Sequence, residues 1–229
     1  MSTMNSVTEY GEFDEKFQET YELFKRNIES DEEVGASFAV YKDGKPIIDL
    51  YGGFQDRDKS ISWNKDTMVN VHSTSKGIVA MIVAKLIDKG ELELDKRVCD
   101  YWPEFSENGK ENIKVRTLLS HRAGLYGWRE PLDETDFYKW DYVCELLAKQ
   151  KPYHAPDKEI CYHPKTIGFL VGELIKRITK KSVGENLHEL LSEPLEAKCF
   201  IGTPETYHNN IAELISSESL RKAFSNPEN

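Results

Sequence analysis

No apolar run in this sequence is long enough to cross a bilayer, so no membrane-spanning helix and no membrane partner are expected. The first residues, Met1 to Gly11, lack both the apolar core of a secretory signal and the arginines of an ordinary transit peptide, which makes a cytoplasmic protein the expectation. Basic residues are in deficit. Thirty Lys and Arg against 40 Asp and Glu leave a formal charge of −10, with no basic stripe, and a nucleic-acid partner is not expected. Cysteine is sparse: Cys99, Cys144, Cys161 and Cys199 are far apart and form no C-x-x-C pair, so reduced, mostly buried thiols are expected. The six histidines are scattered, and His188-Glu189 lacks the second histidine of a zinc-binding helix, so neither a metal nor a cofactor is expected. There is no internal repeat and no low-complexity tract.

What is present begins with an aromatic stripe. Phe13, Phe17, Tyr21, Phe24 and Ile28 recur at spacings of four, four, three and four, which predicts a helix over about 12–29 with its apolar face laid across a sheet. The best strand signal follows. Ala36 to Tyr41 and Pro46 to Tyr51 flank Lys42-Asp43-Gly44-Lys45, and Asp-Gly suits a tight hairpin because both central positions tolerate positive φ. Beyond it the chain reads as mostly helical, with periodic segments at 135–149 and 166–179. The expected organisation is a disordered N-terminus over 1–11 and one partial domain over 12–229. That domain divides into a helix and hairpin at 12–66, a helical lobe at 67–205 and a polar tail at 206–229. A lone hairpin is marginal in water, so it must find neighbours or be missing them.

The junction at Val71-His72-Ser73-Thr74-Ser75-Lys76 carries the chemistry. An extended run ends at His72 and a helical run continues to about Lys89, so Ser73 and Lys76 stand one turn apart on one face. A hydroxyl beside an amine at this spacing can serve as nucleophile and proton acceptor. By itself Ser-x-x-Lys is a cheap pattern, and Ser73 reads equally well as a helix cap. The run Ile78 to Ile87 is apolar nearly all round, which predicts a central buried helix with the lysine at its mouth.

Several stretches together resemble the serine β-lactamase and penicillin-binding-protein superfamily, in its class C, esterase and eukaryotic β-lactamase-related branch. They are Val71 to Gly77 for the active-site helix, Thr117-Leu118-Leu119-Ser120-His121-Arg122-Ala123-Gly124-Leu125, and Tyr162-His163-Pro164-Lys165-Thr166-Ile167-Gly168 for the tyrosine motif. Tyr101 to Phe105 and Ile201 to Glu205 also look like this branch. The resemblance implies an α+β, β-lactamase/transpeptidase-like fold and an acyl-enzyme mechanism on a small ester, amide or peptide-like substrate. In that mechanism Ser73 attacks, Lys76 takes its proton, and Tyr162 shuttles a proton to the leaving group.

The resemblance has departures. Pro164 stands where bacterial class C lactamases carry an asparagine, so β-lactam recognition of the bacterial kind is not expected. The third motif, a Lys/His-x-Gly stretch on a strand beside the cleft, has no counterpart; Lys165-Thr166-Ile167-Gly168 falls inside the tyrosine motif. The chain therefore looks like a C-terminally truncated form of the fold, with the remaining sheet strands missing. The hairpin edge would be left open to self-association. The alternative is a non-catalytic, truncated member serving as a binding or regulatory piece. His163 is expected to be a solvated loop residue and His121 part of a structural turn, with Tyr126, Trp128 and Trp140 in core packing.

Overall fold

Four strands build the sheet of the N-terminal unit in the computed structural model, which describes residues 6–215. They are β1 (Ser6–Thr8), β2 (Gly11–Phe13), β3 (Gly35–Lys42) and β4 (Lys45–Gly53), all antiparallel, in the order β1-β2-β4-β3. The hairpin expected to lack neighbours thus has β2 along its inner strand, with Phe13 opposite Ile48. Ser6–Thr8 and Gly11, within the stretch expected to be disordered, are paired. Gly11 has φ +107°, and a Cβ there would lie 2.2 Å from the carbonyl oxygen of Asp49, an approach that only glycine permits.

Taking Gly11–Phe13 into the sheet delays the helix. Asp14 is extended and accepts the Lys16 N–H at 3.3 Å, capping a 3-10 turn at Glu15–Phe17, and α1 runs only over Gln18–Glu29. The predicted stripe still makes the core. Phe13, Tyr21, Ile48 and Leu50 are buried, with Phe17 and Phe24 packed against them and the Phe13 and Tyr21 rings stacked at 4.8 Å. At the β3–β4 turn, Asp43 and Gly44 both have positive φ, 52° and 72°, as a two-residue turn with right-handed strand twist requires.

The same unit takes in the chain from Thr203. The Asn210 carbonyl accepts the Met68 N–H at 2.7 Å, the Met68 carbonyl accepts the Ala212 N–H at 2.8 Å, and the Gln55 carbonyl accepts the Glu213 N–H at 2.7 Å. The segment read as a polar tail from 206 is therefore held by main-chain bonds as far as Glu213. The rest of that expected tail, 216–229, lies outside the described residues. The units change over at Val71 and Gly202, not at 67 and 205. Main-chain pairing of this kind leaves no side-chain signature to read.

The second unit, Val71–Gly202, is helical: α2 (Ser75–Asp88), α3 (Val115–Leu119), α4 (Trp140–Lys149), α5 (Thr166–Thr179) and α6 (Val183–Leu187), joined by 3-10 turns. Its central helix is α5, which buries eight of its residues from Thr166 to Ile175. The helix α2, expected to hold that place, buries only Ile82, Val83 and Leu86, while Met81 is 45% exposed. An apolar composition all round α2 thus does not translate into burial all round. Where α4 meets α5 the helices approach closely: a Cβ on Gly172 would stand 2.6 Å from the Trp140 ring. Beside that contact the buried Glu173 carboxylate accepts Trp140 Nε1–H and Arg177 Nε–H, each at 2.7 Å, so its charge is paired.

Candidate active site

The chain enters the site through a single left-handed residue, His72, at φ +45°. A 3-10 turn over His72–Thr74 then feeds α2, so Ser73 sits in the tighter turn immediately before the α-helix. The three-residue spacing still brings the two side chains together. Lys76 Nζ donates to Ser73 Oγ at 3.0 Å.

Tyr162 reaches the same oxygen from another part of the unit. It lies in the short loop before α5, and its hydroxyl donates to Ser73 Oγ at 2.8 Å. Lys76 Nζ stands 5.1 Å from the centre of the Tyr162 ring. All three residues named from sequence converge on one hydroxyl oxygen.

Burial does not accompany this convergence as expected. Ser73 is exposed, Lys76 is half-buried and Tyr162 is 51% exposed. The electrostatics follow from contact instead. The Tyr162 phenol is held below its usual range, first by its hydrogen bond with Ser73 and then by Lys76, with desolvation opposing. Because Ser73 Oγ accepts from both neighbours, one proton must leave the Lys76–Tyr162 pair before that pair can take the serine proton. Lowering the phenol works in that direction.

Two histidines support the tyrosine loop. His163 is fully buried, contrary to the solvated position expected for it. Its Nδ1 meets the Cys161 carbonyl at 2.5 Å and its Nε2 accepts the Leu125 N–H at 3.1 Å, which assigns the neutral Nδ1–H tautomer. Both ring nitrogens are thus engaged inside the protein. Burial holds its imidazole below the usual histidine value, against the Cys161 carbonyl. His121, one residue beyond the Ser120 cap of α3, has φ +60° and accepts the His163 N–H on Nδ1 at 3.1 Å. Sequence reading placed neither histidine in the site. The signal available was the LLSH segment and the residue after the tyrosine, and nothing in a linear pattern says that they meet.

The other candidates take structural places. Trp128 Nε1–H donates to the Val143 carbonyl at 3.0 Å and Trp140 is held by Glu173, as core packing implies. Tyr126, expected in core packing, is instead 36% exposed and stacks on Tyr153 at 4.6 Å. Lys165-Thr166, the nearest sequence analogue of the third motif, starts a helix and not a strand, with Lys165 Nζ over the Phe137 ring at 4.9 Å. Among the described residues no three His, Cys, Asp or Glu side chains are grouped to hold a metal, and no helix is long and apolar enough to cross a membrane.

Solved structures with this architecture define the class. A penicillin-binding-protein homologue from Caulobacter crescentus superposes with a TM-score of 0.87 at 34% identity, over 94% of this chain and 57% of the other. A family VIII carboxylesterase superposes at 0.85 and 36% identity, over 93% and 57%. The fold is β-lactamase/transpeptidase-like. The sequence model described as Beta-lactamase matches residues 22–210, and the chain belongs to that family. Among curated relatives it is similar to the esterase/beta-lactamase LipL of Mycobacterium tuberculosis (strain ATCC 25618 / H37Rv), 32% identical over 188 residues. That match covers 81% of this chain and 43% of LipL, so the chain spans less than half the length of this relative.

Proposed function

We propose that this chain is a β-lactamase-related serine hydrolase that acts on an ester, amide or peptide-like substrate through an acyl-enzyme. The observation that carries the reading is the double approach to Ser73 Oγ, from Lys76 Nζ at 3.0 Å and Tyr162 Oη at 2.8 Å. In the proposed cycle the Ser73 oxygen attacks the substrate carbonyl carbon while its proton passes to Lys76. Tyr162 then relays a proton to the leaving group as the acyl bond to Ser73 forms. Water adds in the second half, its proton passing to Tyr162, and the Ser73–acyl bond breaks as Lys76 returns the proton it took, restoring the hydroxyl. Similarity to a carboxylesterase and to the esterase/beta-lactamase LipL supports this substrate class.

The test is incubation with a fluorophosphonate probe followed by intact-mass measurement. One adduct on the wild-type chain that vanishes in Ser73→Ala is the expected result. No adduct removes the catalytic reading.

A cytoplasmic location belongs to the same proposal and is supported by four free thiols. So does self-association along β3, which among the described residues pairs only with β4. Light scattering that reports a monomer at high concentration counts against it.

A further inference from the structure

Three main-chain groups surround Tyr162, and each has a defined partner. The Cys161 N–H donates to the His121 carbonyl at 3.1 Å. The Cys161 carbonyl meets His163 Nδ1 at 2.5 Å, and the His163 N–H donates to His121 Nδ1 at 3.1 Å. The peptide groups on either side of Tyr162 are thus both fixed, and two of the three bonds end on His121. The His121 ring also lies against the phenol, with centroids 5.0 Å apart and planes at 59°.

We propose that His121 is a positioning residue for Tyr162: its carbonyl and its Nδ1 grip the chain on both sides of the tyrosine and aim the phenol at Ser73 Oγ. The proposal rests on the reading of Ser73 and Tyr162 as partners in acyl transfer. Accepting a main-chain N–H requires an unprotonated Nδ1, which puts the ring proton on Nε2. Burial first, and then the positive charge of Lys76, keep the imidazole below the usual histidine value, so it is the neutral acceptor near pH 7. The backbone of His121 is part of the device. Its φ of +60° reverses the chain after α3 and turns its carbonyl and side chain to the same loop. A side chain acting only as helix punctuation needs the left-handed conformation but not a ring acceptor, and this distinction makes the role testable.

Two substitutions tolerate the left-handed backbone. His121→Asn offers Oδ1 as an acceptor, whereas His121→Gly keeps the turn and deletes the acceptor. Two readouts are taken on each variant: titration of the Tyr162 phenol by NMR of 13C-labelled tyrosine, assigned with Tyr162→Phe, and fluorophosphonate labelling of Ser73 resolved into binding and inactivation constants. In His121→Gly the phenol should return toward its ordinary value and the inactivation rate should fall about 100-fold with probe binding unchanged, while His121→Asn stays within about threefold of wild type.

The proposal is overturned if His121→Gly leaves the phenol titration where wild type has it. It is equally overturned if His121→Asn loses as much as His121→Gly, since the acceptor would then be irrelevant. If the wild-type chain takes no label at all, the catalytic reading falls, and the phenol titration alone still decides whether His121 positions Tyr162.

Discussion

Tyr162 donates its hydroxyl proton to Ser73 Oγ at 2.8 Å, although 89 positions separate the two residues in sequence. That bond joins the loop before α5 to the turn before α2, and with Lys76 it makes one oxygen the meeting point of a phenol and an amine. Removing the phenol oxygen is accordingly the most direct perturbation. Tyr162→Phe should lower the rate of Ser73 labelling by about 10²–10⁴, the range for loss of a positioned acid–base group. The melting temperature should barely move, because the ring is half exposed. The same variant tests the pH dependence. Ser73 and Lys76 lower the phenol, so wild-type labelling should rise with pH and level off below the ordinary tyrosine value of about 10. That limb should be displaced in Tyr162→Phe, which takes the phenol out of the Lys76–Tyr162 pair.

Acid should loosen the support of the site. His163 and His121 are both held below the usual histidine value by burial, so the unfolded chain binds more protons than the folded one as the pH falls below about 6.5. Their contribution to stability is complete above that pH and is lost as the pH drops toward their folded values. The slope is up to about 1.4 kcal/mol per pH unit for each excess proton. Urea unfolding at pH 7.5 and pH 5.0 measures it, and a His163→Gln variant should show a shallower decline.

Close helix packing sets a third expectation. A methyl group on Gly172 would collide with the Trp140 ring, which is pinned by its hydrogen bond to Glu173. Gly172→Ala should therefore destabilise by about 1–3 kcal/mol, the usual cost of overpacking, despite the better helix propensity of alanine. Thermal unfolding of the variant checks the sign.

Lys110 is the fourth test, away from the site. Its side chain is fully buried, its ammonium donates to the carbonyls of Glu107 at 2.7 Å and Gln150 at 2.5 Å, and burial pushes its pKa down to about 8. Lys110→Met should leave both carbonyls without that donor and cost about 1–3 kcal/mol for each. In the wild type the folded value lies below the unfolded one, so stability should rise as the pH increases from about 8 toward the ordinary lysine value. Lys110→Met should lack that rise in urea titrations across the interval.

Local pattern determined a great deal here. The Asp-Gly turn of the hairpin and the one-turn spacing of Ser73 and Lys76 follow from patterns of a few residues and are realised, and the aromatic stripe packs as one core although Phe13 and Phe17 precede α1. The family resemblance likewise rests on short stretches in fixed order. Only the tertiary structure decided which helix lies at the centre of the helical unit, that Ser6–Thr8 and Gly11–Phe13 are strands, and that the chain beyond Thr203 pairs back onto Met68. It alone put His121 and His163 around Tyr162 and buried the histidine expected in solvent. The physical reason is common to these cases. Main-chain hydrogen bonds and long-range packing depend on what lies across space, and neither leaves a periodic trace in the residues that take part.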